Sequence, residues 1–535
     1  MWRNMRPADE RVFAGRRFLG IRSLGKSLVL LALSFSMPCA AAQSSNPFDG
    51  IVDAVMARYQ LPGIAVGVID HGKVIYVGTR GETIAGSGQK ITPQTQFKIA
   101  SNSKAMTTAL LARLVDQGKL HWDDPVTRYL PDFRMYDPWV TANMRVADLL
   151  THSSGLPEGG GDLMLWPQPN RFTRADIIHG LRFIKPGYSF RSRYEYDNLL
   201  YVVAGEVAAA AGGASYETLM RREVFEPLGL SRCVVGESSG DVAQPHERES
   251  GRNIPLHEDA SAAAMTVSAA AGGIRCDLDD MLTWARNWLA PTPAQMQWLS
   301  AQQRQVLQSP HMLIPVSDQR RNWDHAHVMA YGYGWRMADA DGMWTVWHTG
   351  TLSGMYSELM LLPDQQSGFV FLINGDAEDA RTVLGEVLLK HFTAPGDTRD
   401  VAWYADALES ASQAQRTRAA VPDSAAAAPV EASALTSWTG RYRDPWFGEI
   451  LLCPRRDRVH VAAIKSPRFS GAVMRLGKRY LLRWDDRSVS PDAWLDFHPE
   501  TSDQPASLTM AKLDPLGDFS SDYEDLRFSR VGDCP

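Results

Sequence analysis

Phe97-Lys98-Ile99-Ala100-Ser101-Asn102-Ser103-Lys104-Ala105-Met106-Thr107 decides how the rest of the chain is read. A helical run continues from it to Gln117 and stops at Gly118, a residue suited to a helix C-terminus. Ser101 and Lys104 stand three apart where that helix opens, so both side chains fall on one face. A serine hydroxyl is a poor nucleophile until a base takes its proton, and a lysine amine at this spacing is such a base. Backbone N–H groups at the helix start add donors for a developing oxyanion.

Serine precedes lysine by three residues at three of the eleven lysines: Ser23/Lys26, Ser87/Lys90 and Ser101/Lys104. The first pair lies in a basic N-terminal segment and the second in a Gly-rich loop, so helical context selects the third. A second element is Tyr196-Asp197-Asn198; among sixteen tyrosines, Tyr196 alone has asparagine two residues on. It precedes a helix expected from Leu199 to Ala211 and closed by Gly212-Gly213, a place where Asn198 suits either a cap or a cleft. The third element is His348-Thr349-Gly350, followed by Thr351, at the end of the strand-like Trp344-Thr345-Val346-Trp347. Glycine on an edge strand lets a substrate backbone approach closely. A polar residue two positions earlier can hold a substrate carboxylate or relay a proton.

The ordered set Ser-x-x-Lys, Tyr-x-Asn, His-Thr-Gly resembles the serine β-lactamase and penicillin-binding-protein superfamily. The likeness is nearest to class C β-lactamases and to D-aminopeptidase and esterase members. Leu149-Leu150-Thr151-His152-Ser153-Ser154-Gly155-Leu156, Pro227-Leu228-Gly229-Leu230 and Ala271-Gly272-Gly273 carry it further, over about residues 46–395. The resemblance implies an α/β (α+β) domain whose antiparallel sheet is flanked by helices. It implies acylation of Ser101, proton transfer shared by Lys104 and Tyr196, and Asn198 orienting the lysine or the substrate amide. It also implies an oxyanion hole from the backbone N–H groups of Ser101 and Thr351, with Thr349 and Gly350 lining the substrate strand. No cofactor and no metal are implied. His348 departs from the pattern, since β-lactamases and transpeptidases usually carry lysine there. An imidazole is only partly charged near neutral pH. The expectation is therefore a peptidase, amidase or esterase acting on a small molecule or peptide. The alternatives are a β-lactamase or D,D-carboxypeptidase and, in another class, a non-catalytic penicillin- or peptidoglycan-binding protein.

Arg16, Arg17, Arg22 and Lys26, the apolar run Leu28–Met37 and Ala40-Ala41-Ala42 have the three-part layout of an export signal over residues 1–42. A periplasmic or secreted product is expected. Residues 1–42 hold seven basic and two acidic residues, so taking their net +5 from the whole chain's −6 leaves −11. That charge argues against nucleic acid as a partner. No later stretch approaches the ~20 apolar residues of a membrane span, and nothing sets an oligomeric state.

Residues 43–404 are expected to form the hydrolase domain and 405–434 an Ala/Pro-rich linker. Strand-like runs separated by turns over 435–535 indicate a small antiparallel barrel or sandwich. That unit looks like the lipocalin-like domain appended to some of these hydrolases. Of four cysteines beyond the signal, Cys453 and Cys534 are the better pair for a bridge; Cys233 and Cys276 are left open. Two patterns are set aside. Gly236-Glu237-Ser238-Ser239-Gly240 matches G-x-S-x-G but lacks a strand–turn–helix setting. His325 and His327 lack a third metal ligand at supporting spacing.

Overall fold

The apolar runs read at residues 64–77 and 343–373 come together in one antiparallel sheet. The computed structural model describes residues 46–236, 238, 240–249, 252–256, 267–352 and 354–535; the expected export signal lies outside them. Eight strands run in the order Lys73–Gly81, Gly63–Asp70, Ser367–Ile373, Met355–Leu362, Met343–Leu352, Arg336–Ala340, Met329–Tyr331, Met312–Leu313. The period of two along each strand divides its side chains between two cores. Phe369, Phe371 and Ile373 pack on one side with Phe48, Val52, Leu384 and Leu388 from the helices Pro47–Tyr59 and Glu378–Thr393. Val370 and Leu372 face the other side, where the helices Ser103–Asp116, Leu199–Gly212 and Leu278–Leu289 build a helical layer. The site lies between that layer and the sheet.

The C-terminal unit is a closed barrel of eight strands, from Gly440–Asp444 round to Arg527–Gly532, whose last strand pairs with its first. The barrel and the helical layer share one continuous apolar core. Phe447 lies 5.6 Å from Phe172, ring centre to ring centre, and Lys465 pairs with Asp176 at 2.7 Å. The segment read as a linker, 405–434, is ordered differently from its composition. Asp400 caps a helix, Val401–Ala419, and Ala428–Pro429 pairs with the barrel strand Ser470–Leu476. The helix Val401–Ala419 follows its N-cap and contains several alanines, the best helix formers, whereas the Ala/Pro run at residues 424–430 lies beyond it.

Both cysteine pairs are bridged. Cys453–Cys534 ties the barrel's second strand to the end of the chain, and Cys233–Cys276 links the residue before the short strand Val234–Val235 to the end of its partner strand Ile274–Cys276. Of the patterns set aside, Ser238 bonds to Gln96, while His325 and His327 bond separately to Asp341 and Asp339. No single helix among the described residues is long and apolar enough to cross a membrane.

The Cys453–Cys534 bridge closes a loop with a sequence separation of 81 residues. Cys453→Ala is expected to cost the barrel about 2–4 kcal/mol, as removal of such a bridge usually does. A denaturation midpoint unchanged by that substitution would show the bridge to be dispensable.

Candidate active site

Ser101 sits on one 3-10 turn, Ala100–Asn102, directly before the helix Ser103–Asp116. Ala100 has a φ of 47°, a left-handed conformation that costs an alanine about 1–2 kcal/mol. Neighbours hold the turn in place. The Ile99 N–H donates to the Ile274 carbonyl at 3.0 Å, Ser357 Oγ donates to the Ile99 carbonyl at 2.8 Å, and Asn102 Nδ2 donates to Ser357 Oγ at 2.8 Å. Gly350 completes the clamp: a Cβ there would collide with the Ile99 carbonyl oxygen and Ser357 Oγ. The close approach that demands glycine is thus first to the protein's own nucleophile turn. Its strand, Met343–Leu352, lies inside the sheet, but pairing with Arg336–Ala340 stops at Trp347. Residues 348–352 therefore form a local edge.

Lys104 is fully buried. Its Nζ lies 3.0 Å from Ser101 Oγ, 2.7 Å from Asn198 Oδ1 and 2.8 Å from the Ala271 carbonyl oxygen. Burial lowers its pKa to about 7, with Asp162 and Asp197 opposing and Arg336 adding to the fall. Asn198 stands at the entrance of the helix Leu199–Gly212 without capping it. Asp197 does the capping, accepting from the Leu200 N–H at 3.0 Å, so the Asn198 amide is free for the lysine. The Asn198 Nδ2 donates to Asp162 Oδ2 at 2.8 Å.

Tyr196 lies beside this cluster, its ring centre 4.8 Å from Lys104 Nζ and 4.2 Å from the His152 ring. Burial pushes its phenol well above the ordinary value, while Arg336 and the Ser101 hydroxyl pull the other way. The phenol is therefore protonated at neutral pH. His348 is also buried, and both ring nitrogens are engaged within the protein: Nδ1 with the Thr349 carbonyl at 2.7 Å and Nε2 with the Tyr331 hydroxyl at 2.9 Å. A carbonyl only accepts, so Nδ1 carries the proton and Nε2 accepts from Tyr331. Desolvation holds the imidazole pKa well below 6.5, with Arg336 and Lys104 adding to the shift. His348 is thus a neutral ring across the neutral range, not the partly charged group its ordinary titration suggests. Thr351 is exposed on the local edge, and its hydroxyl and the Gly350 carbonyl take N–H bonds from Arg381.

Three residues near the cluster have no site role in the sequence reading, Ala271 appearing there only in the resemblance. Asp162 lies behind Asn198. Ala271 contributes only its carbonyl, which no side-chain pattern marks. Arg336 lies 5.6 Å from the centre of the Tyr196 ring, among the tyrosines 194, 196 and 331, and its Nε has no partner among the described residues. Each enters through the fold rather than through spacing along the chain.

The family model for beta-lactamase matches residues 48–392. The chain belongs to the beta-lactamase family. It is similar to the unguisins hydrolase ungD' of Aspergillus campestris, at 25% identity over 78% of this chain and 79% of that one. It is similar to the D-alanyl-D-alanine-carboxypeptidase/endopeptidase AmpH of Escherichia coli, at 26% identity over 65% of this chain and 90% of that one. An octameric penicillin-binding protein homologue from Pyrococcus abyssi shares the fold with a TM-score of 0.56 and 19% identity, covering 90% of this chain and 98% of that one. This beta-lactamase family member is a serine hydrolase.

Gly350→Ala is expected to destabilise the protein by about 1–3 kcal/mol, the usual range for overpacking, and to slow labelling of Ser101. Wild-type melting temperature together with wild-type labelling by a serine-directed probe would contradict the clamp.

Proposed function

We propose that this protein is an exported peptidase, amidase or esterase that works through an acyl-enzyme on Ser101. The observation that carries the reading is the contact of a buried, weakly basic Lys104 with Ser101 Oγ at 3.0 Å. Ser101 Oγ attacks a carbonyl carbon, its proton passes to Lys104 Nζ, and the N–H groups of Ser101 and Thr351 hold the oxyanion. The leaving alcohol or amine departs with a proton from Lys104 or from the protonated Tyr196 phenol. Water then releases the acid and restores Ser101. Thr349 and Gly350 line the substrate strand. The N-terminal basic and apolar pattern supports export to the periplasm or medium.

A neutral His348 in place of a fixed cation favours substrates without a carboxylate at that point. The relatives named as an unguisins hydrolase and a carboxypeptidase/endopeptidase are compatible with peptide substrates. One observation favours a second reading: the Arg336 guanidinium beside Tyr196 supplies a cation that a substrate carboxylate would match. That would make the protein a D,D-carboxypeptidase or β-lactamase with its anchor on a neighbouring strand.

The two readings separate in a comparison of kcat/KM for nitrocefin, a neutral p-nitrophenyl ester and D-amino-acid amides. The expected order places the ester or the amides above nitrocefin, with all turnover lost in Ser101→Ala and reduced roughly 100-fold or more in Lys104→Arg, the usual loss on removing a general base. A strong wild-type preference for nitrocefin, lost in Arg336→Gln, would overturn the first reading in favour of the second.

A further inference from the structure

The arm between the last two barrel strands, residues 513–526, reaches out of the barrel to the hydrolase site. Phe519 sets the edge of its ring against Tyr196, with centroids 5.8 Å apart. Ser520 Oγ donates to Asp162 Oδ2 at 2.7 Å, the same oxygen that accepts from Asn198 Nδ2. Asp522 accepts from the backbone N–H groups of Gly161 at 2.6 Å and Leu163 at 3.3 Å, capping the short turn that carries Asp162. A continuous chain of hydrogen bonds therefore runs from the barrel to the nucleophile: Ser520, Asp162, Asn198, Lys104, Ser101.

The chain has a direction. A neutral amine has two N–H groups and one lone pair. Asn198 Oδ1 and the Ala271 carbonyl can only accept, so they take both N–H groups and leave the lone pair for the Ser101 hydroxyl. That outcome depends on the way round Asn198 sits. With its amide reversed, Nδ2 would meet the lysine and occupy the lone pair that must receive the serine proton. Asp162 prevents the reversal while it presents an accepting oxygen to Asn198, and the Ser520 hydroxyl and the Asp522 cap hold that oxygen in place.

We propose that the C-terminal barrel is part of the catalytic apparatus, with Ser520 and Asp162 acting as positioning residues that fix the orientation of Asn198 and so aim the Lys104 lone pair at Ser101. This rests on the reading of Ser101 and Lys104 given above. The same oxygen of Asp162 serves both domains, so the barrel arm and the helix carrying Lys104 are coupled through one carboxyl group. Deleting the hydroxyl leaves the shape of the arm nearly unchanged but frees the carboxyl to turn.

The test is single-turnover phosphonylation of the full chain by a fluorophosphonate, in which Ser101 Oγ bonds to phosphorus, fluoride leaves and Lys104 takes the proton. Ser520→Ala is expected to slow the bond-forming step about 10-fold, the rate equivalent of one lost hydrogen bond, with little change in probe affinity. Ser520→Thr keeps the hydroxyl and is expected to restore the rate. A wild-type rate in Ser520→Ala, or equal slowing in the alanine and threonine variants, overturns the proposal. Asp522→Asn loosens the same turn from its other side and is expected to slow the same step; it decides the matter if the Ser520 variants do not fold. Ser101→Ala separates the two claims: labelling that persists in it overturns the nucleophile assignment, whereas loss of labelling there with normal Ser520→Ala rates overturns this proposal alone.

Discussion

A lysine amine with no access to water, held among three oxygens, is the constraint on which the site depends. Burial makes the ammonium costly, and the Asp162 and Asp197 carboxyls are themselves buried, their pKa values raised by desolvation to about 8 and about 6. Asp162 is therefore mostly neutral near pH 7 while Asp197 remains mostly ionised, and desolvation still outweighs them and lowers the lysine to about 7. An ordinary surface lysine beside Ser101 would be a cation with no lone pair to offer. Here the helical layer excludes water, and two obligate acceptors decide where the lone pair points.

The sheet supplies the other half. The strained Ala100 turn persists because Ile274, Ser357 and Gly350 hold it from separate strands. The strand carrying Gly350 loses its neighbour beyond Trp347, which opens an edge beside Ser101. The nucleophile and that edge are thus fixed by the same contacts. The barrel, sharing a continuous core with the helical layer, adds a third support behind Asn198.

Much of this was legible in the chain because it is local. The Ser101-to-Lys104 spacing on a helix, the helix Leu199–Gly212 ending at Gly213, and the apolar strand runs within 63–81 and 343–373 are all set by neighbouring residues. The barrel was legible as regularly spaced strands, and its Cys453–Cys534 bridge as the better pair. What escaped is non-local or carried by the backbone. Asp162 and Ser520 are 358 residues apart and meet only when the barrel docks. Ala271 acts through its carbonyl, and Cys233 and Cys276 come together because Val234–Val235 pairs beside Ile274–Cys276. His348 was read with its ordinary titration, but burial against Tyr331 and the nearby cations change it. Within the segment 405–434, read as a linker from the small residues at 424–430, composition alone does not mark the helix that begins behind the Asp400 cap and runs to Ala419.

The central claim is that Lys104 is substantially neutral near pH 7, and the chain's eleven lysines make it measurable. Lysine labelled with 13C at Cε gives few resonances, and that of Lys104 is the one lost in Lys104→Arg. Followed by NMR against pH, it is predicted to titrate with a midpoint of about 7. A midpoint near 10.5, the ordinary lysine value, would mean a charged lysine at neutral pH and would contradict the account.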